Sequence, residues 1–182
     1  YSILTLVDML LLKYFGMGWF DAINHAFSTI STGGFSTKNN SLGYFHGSAI
    51  VWTTTLFMII SGINFLAHLK FLNRDYSGYK SEEIRYYLYI FLVLSILLTT
   101  VHLFSNNVNI FDAIKDSFFT IASIMTTTGF ATLNYEEWGH NAVMLIFIAM
   151  LIGGTTGSTA GGIKVIRYII VFKNMFIEIK RV

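Results

Sequence analysis

Phe20-Asp21-Ala22-Ile23 opens a stretch that runs through Ala26-Phe27-Ser28-Thr29-Ile30 to Thr32-Gly33-Gly34-Phe35-Ser36. Phe111-Asp112-Ala113-Ile114 opens a second, which runs through Ser117-Phe118-Phe119-Thr120-Ile121 to Thr127-Thr128-Gly129-Phe130-Ala131. The two openings match at an offset of 91 residues, and the second copy carries four extra residues before its Gly-Phe pair. Four residues are about one helical turn, so the second helix lengthens without changing the side it presents. Each copy reads as a short polar-apolar helix that ends in a Thr-Gly-Phe type of loop. An internal repeat fixes architecture before any single motif does, and here it predicts two copies of one unit.

Composition identifies the solvent. Of 182 residues, 54% are hydrophobic and only 12% are charged, with no Cys and no Pro. That is too apolar and too poor in charge for an ordinary soluble domain, and a bilayer is the expected surrounding. A net charge of +2, with no basic run before the last residues, argues against nucleic acid as a partner. The chain opens on Tyr1 in an apolar run, without Met or a signal peptide, and is expected to be a piece of a longer protein.

Apolar runs of membrane-crossing length recur between polar breaks. Residues 1–15 read as the end of one span, 48–72 as a full span, and 84–104 as a third that stops at Ser105-Asn106-Asn107. The polar stretch 73–83 reads as a connecting loop. A fourth run, 141–177, is interrupted by Gly153-Gly154-Thr155-Thr156-Gly157-Ser158-Thr159-Ala160-Gly161-Gly162. Segments 19–31 and 109–125 are too short and too polar to cross, and a helix that enters a membrane and returns is tolerated only where protein or water surrounds it. The expected unit is therefore span, re-entrant helix, loop, span. One glycine in such a helix is explained by close packing. Two at equivalent places, each between Thr and Phe, fit a different use: Gly permits a turn that aims backbone carbonyls inward, and rings of carbonyls replace the hydration shell of a cation.

At these residues the chain resembles the Trk/Ktr/HKT family of potassium-uptake membrane subunits, over nearly its whole length. Thr32-Gly33-Gly34-Phe35-Ser36 and Thr127-Thr128-Gly129-Phe130-Ala131 are similar to two of that family's four filter segments. Gly153-Gly154 through Gly161-Gly162-Ile163-Lys164-Val165-Ile166-Arg167 is similar to the glycine-rich interruption that lies under the filter and gates it. The resemblance implies an all-α membrane protein, with helix, re-entrant pore helix, filter loop and helix units around a potassium-channel-like pore. It implies that residues 1–72 are the second repeat and 84–182 the third, with potassium held at Thr32, Gly33, Thr127 and Thr128 and Lys164 belonging to the gate loop. It also implies potassium uptake, with symport, in a multi-pass protein of the cell inner membrane. The partners implied are membrane lipid, a second copy forming a homodimer, and a cytoplasmic nucleotide-binding regulatory subunit; potassium is cargo, and no cofactor is implied. A sodium-permeable transporter of the same family and a scaffold subunit with glycine-packed helices are the alternatives. An enzyme would need a catalytic constellation, and with no Cys, isolated histidines and no paired intramembrane carboxylates the sequence offers none.

Other polar residues receive simpler readings. Gly157-x-x-x-x-Gly162 with Lys164 looks like a phosphate-binding loop, but that pattern needs Lys directly after the second Gly and then Ser or Thr, and Ile163 and Val165 stand there instead. His25, His46, His68, His102 and His140 are scattered without metal-ligand spacing. Asp21 and Asp112 are expected to cap the short helices. The Tyr and Trp residues at 14, 19, 44, 52, 86, 87, 89, 135 and 138 are expected to form an aromatic belt near span ends. Lys164, Arg167, Lys173, Lys180 and Arg181 put positive charge after the fourth span, which assigns that end to the cytoplasm and the filter loops to the outside.

Overall fold

The structure is a computed structural model that describes residues 1–45, 47–106 and 108–181. His46, and Asn107 of the predicted break, lie outside the described residues. Eight α-helices account for those residues' regular structure: α1 (Ser2–Tyr14), α2 (Trp19–Ile30), α3 (Ser48–Ser61), α4 (Phe65–Leu72), α5 (Glu82–Asn106), α6 (Ile110–Met125), α7 (His140–Leu151) and α8 (Val165–Arg181). Short 3-10 turns at Ser41–Tyr44, Tyr76–Lys80 and Tyr135–Trp138 punctuate the connections.

The repeat is realised as two helix-loop units. Helix α2 has 12 residues and α6 has 16, so the four inserted residues are one extra turn. At 1.5 Å per residue these helices are about 18 and 24 Å long, short of the roughly 30 Å of a bilayer core. Both bury small residues on the inward face, Ala22 and Ala26 in α2 and Ala113 and Ala122 in α6. Helix α6 packs between α3, α5 and α7, while α2 packs against α1 and α3. The core between these helices holds Leu12, Met58, Tyr87, Leu98, Phe119, Ile121 and Met125, all fully buried.

Among the described residues, α5 alone is long and apolar enough to cross a membrane by itself. The span predicted over 48–72 is not one helix: α3 and α4 meet at a 99° bend. The cause is local and tertiary at once. Tyr87 packs so closely on Gly62 that a side chain there would strike its hydroxyl, and that hydroxyl donates to Ile59 O (3.2 Å). The freed Gly62 carbonyl accepts from Thr155 N at 2.9 Å, and Asn64 restarts the chain by capping α4, its side chain accepting from Leu66 N at 2.8 Å. Tyr87 is therefore an interior residue, and so is Trp138, which is buried with its ring 3.9 Å from that of His102; neither belongs to an aromatic belt. The stretch 73–83 is also shorter as a connection than predicted, because Glu82 and Glu83 already form the first turn of α5.

The buried threonines Thr53, Thr54 and Thr55 satisfy their hydroxyls on the carbonyls of Ala49, Ile50 and Val51, one turn back in α3. Asp8 in α1 does not follow that rule. It is fully buried, and neither carboxyl oxygen has a hydrogen-bond partner among the described residues. A buried polar group left without a partner costs about 1–3 kcal/mol. Asp8→Leu is therefore expected to raise the thermal unfolding midpoint of the detergent-solubilised full-length protein; a lowered midpoint would show that the carboxyl is held by a bond.

Candidate functional site

Helices α2 and α6 end in the same way. The residue after α2, Ser31, is still right-handed (φ −80°, ψ −3°), and Thr32 then turns left-handed with φ +53°. The residue after α6, Thr126, has φ −83° and ψ −2°, and Thr127 has φ +58°. Gly33 N reaches Ser28 O at 2.8 Å while Thr32 N reaches Thr29 O at 3.1 Å. Thr128 N to Ser123 O (2.9 Å) and Thr127 N to Ile124 O (3.0 Å) repeat the pattern. This pairing is the Schellman cap, whose left-handed position is ordinarily Gly or Asn. Threonine there costs about 1–2 kcal/mol in each copy, strain of the kind found at functional sites. Two residues on, the chain turns left-handed again at Gly34 (φ +70°) and Gly129 (φ +87°).

The two loops meet. A Cβ on Gly34 would overlap the Thr128 backbone carbonyl and lie 3.2 Å from the carbonyl carbon of Gly129. Beyond them, Ala131 O accepts from Gly43 N and Ala131 N donates to Ser41 Oγ, each at 3.2 Å, so the segment after the first loop is stitched to the end of the second.

Several supporting residues were not picked out from the sequence. Ser28 Oγ accepts from Phe35 N at 2.7 Å and Ser123 Oγ donates to Phe130 O at 2.7 Å, so equivalent serines hold the far side of each loop. Aligning the copies from their Thr-Gly ends, rather than from the Phe-Asp-Ala-Ile starts, would have paired them. His25 is fully buried, with Nδ1 2.7 Å from Asp21 O and Nε2 2.9 Å from Ser36 Oγ. A carbonyl can only accept, so Nδ1 carries the proton and Nε2 accepts from Ser36. Its ring also stacks on Phe130 at 5.8 Å, so one imidazole braces both loops.

The glycine-rich segment lies against the inner ends of these loops. Ile152 and Ile163 pair as an isolated parallel bridge, with Gly153 N donating to Ile163 O at 2.9 Å, which closes the neck of the loop. From there Thr155 hangs on Gly62 O, and Phe65 N donates to Gly157 O at 3.0 Å. Thr159 Oγ1 is 3.1 Å from Ile30 O and 3.2 Å from Ser61 O. Both strained threonines touch this loop: Thr32 Oγ1 lies 3.0 Å from Thr159 O, and Gly161 N donates to Thr127 Oγ1 at 2.7 Å. Lys164, half-buried, donates to the Ala160 carbonyl and lies 3.3 Å from Ser158 Oγ. The main chain has no room at the neck, since a side chain on Gly153 would strike Gly161 O.

The acidic residues do not cap. Helix α2 starts after Gly18 and α6 after Asn109, with no side-chain cap bond in either case. Asp21 is instead turned toward the segment that follows Thr32–Ser36, where Thr37 Oγ1 donates to its Oδ1 at 2.6 Å and Lys38 Nζ lies 3.5 Å away. The Thr37 hydroxyl, with the Lys38 charge, holds its carboxyl below the usual range. Asp112 pairs with Lys115 at 2.8 Å. Among the described residues no three His, Asp or Glu side chains gather as a metal site.

Comparison with known proteins places the chain in a family. The TrkH family model, described as a cation transport protein, matches residues 12–182. The chain is 36% identical over its full length to the Trk system potassium uptake protein TrkH of Halomonas elongata, and 38% identical to proteins of the same name from Salmonella typhimurium and Escherichia coli. It spans 38% of the length of each of these relatives. The crystal structure of the potassium transporter TrkH from Vibrio parahaemolyticus superposes with a TM-score of 0.93 at 36% identity, covering all of this chain and 40% of that one.

Proposed function

The chain belongs to the TrkH cation transport protein family, and from that premise we propose that it forms two of the four repeats of a pore for potassium uptake across the cell membrane. In this reading residues 1–72 are the second repeat and 84–182 the third. The observation that supports it most is the pair of left-handed Thr and Gly turns, at Thr32 and Gly34 and at Thr127 and Gly129, in two loops that touch each other and the glycine-rich segment. Gly at 34 and 129 permits the turns that aim backbone carbonyls inward. Carbonyls so turned at Thr32, Gly33, Thr127 and Thr128 would take the place of water around a dehydrated potassium ion. Asp21, kept anionic beside the loop, adds attraction for cations. Residues 153–162, joined to both filter threonines, form the obstacle below. The relatives' name, Trk system, supports an assembly of several components, and the resemblance supplies a second copy and a cytoplasmic nucleotide-binding subunit as its members.

The test is rubidium and sodium flux through the full-length protein in proteoliposomes. Rubidium flux with sodium excluded supports the reading; no cation flux overturns it. Within the gate, Lys164 ties the loop to itself through Ala160 and Ser158. Lys164→Gln is expected to raise the leak severalfold, as loss of a charged hydrogen bond implies. Unchanged flux at matched membrane abundance would remove Lys164 from the gate.

A further inference from the structure

We propose that Glu83 is the latch that keeps the glycine-rich loop closed, a positioning residue for permeation that acts from the first turn of α5. The proposal rests on reading residues 153–162 as the gate. Glu83 Oε1 accepts two hydrogen bonds from one loop residue, from Thr156 N at 2.6 Å and from Thr156 Oγ1 at 3.0 Å. The loop's other ties to the rest of the protein, at Thr155, Gly157, Thr159 and Gly161, go to carbonyls, a backbone amide and neutral hydroxyls. Apart from Lys164, which adjoins the loop in sequence and bonds Ala160 and Ser158, Glu83 is the one charged side chain among the described residues that bonds it. Hydrogen bonds to a carboxylate are roughly twice as strong as neutral ones, so this pair is the strongest single attachment at the exposed tip of the loop.

Its place in the fold reinforces this. Glu83 stands in the first turn of α5, where the helix dipole favours negative charge. Its neighbour Glu82 accepts from Lys173 Nζ at 2.6 Å, and Lys173 belongs to α8, the helix into which the loop runs. One turn of α5 thus holds both the loop and its exit helix. Thr156 is exposed, and the loop's bonds to Thr32 and Thr127 are made by Thr159 and Gly161 instead, so releasing Thr156 breaks neither of them.

The experiment is rubidium efflux from proteoliposomes carrying the full-length protein, with no regulator added, for the parent, Glu83→Ala and Glu83→Gln. Each is also made with residues 155–160 removed. Glu83→Ala is expected to raise basal efflux about tenfold and Glu83→Gln about threefold, because the amide oxygen still accepts but without charge. The rubidium-to-sodium ratio stays parental, and in the loop-deleted background neither substitution changes efflux. Parental efflux in both Glu83 variants, with the deletion still speeding efflux, overturns the latch and leaves the gate. If the deletion is also without effect, the gate reading itself fails. Reduced efflux or an altered ion ratio in either background also overturns the latch, since Glu83 would then be shaping the fold.

Discussion

Gly34→Ala in the full-length protein is expected to abolish rubidium uptake while membrane abundance stays at the parental level. The added methyl would overlap the backbone carbonyl of Thr128, and a backbone cannot swing aside as a flexible side chain can. The φ of +70° adds strain of about 1–2 kcal/mol for any residue with a Cβ. Both effects fall where the two loops touch, so backbone on both is displaced, and under the proposed function ion binding depends on carbonyl placement to within about half an ångström. Gly129→Ala separates the two causes. Its φ is +87°, but a Cβ there meets nothing within 4 Å among the described residues, so only the strain remains. A partial loss of rubidium preference over sodium is expected there, rather than loss of uptake. Parental uptake ratios in Gly34→Ala, measured beside immunoblots of membrane fractions, would sink the filter assignment.

Removing Thr155 to Ala160 is expected to raise basal flux by an order of magnitude or more, with weaker dependence on any regulator. The segment has five glycines in ten residues, from Gly153 to Gly162, and Gly is a poor helix former by about 1 kcal/mol per residue. Its shape is imposed by contacts. Deletion removes the bonds to Gly62, Phe65, Glu83, Ile30 and Ser61 together. It spares the neck, where Ile152 already pairs with Ile163, and Tyr168 Oη still ties α8 to Leu151 O at 2.9 Å. The flanking helices thus keep their anchors while the obstacle shortens. If the deleted protein inserts normally and conducts no faster than its parent, the loop is a packing element.

The sequence reading succeeded where a signal was local. The starts and ends of α2 and α6 follow from the repeat, and the extra turn of α6 from four inserted residues. The interruption between α7 and α8 follows from glycine density, although it extends from Ile152 to Lys164, beyond the ten residues expected. It failed where tertiary structure decides. Hydropathy is continuous across 48–72, and the bend at Gly62 appears only once Tyr87 and Thr155 are known to converge on it. Tyr87 was read from its place near a span end, but such a position does not reveal which side of the helix it occupies. Asp21 and Asp112 have the right residue type for caps and the wrong register, since each stands inside the first turn, two residues past the helix's first residue, and the N-caps are Gly18 and Asn109. Glu83 was passed over as part of a polar connection, because nothing nearby in sequence announces a partner 73 positions away.

Thr32 and Thr127 each serve two structures at once, the loop that follows its own helix and the glycine-rich loop against it. Thermodynamic reciprocity follows from that shared ownership. If withdrawal of the lower loop changes the affinity of the innermost ion position by some factor, occupancy of that position must change the loop's own opening equilibrium by the same factor. Under the proposed function, permeant cation and gate are then conjugate variables, and external potassium is itself an effector of the opening that admits it.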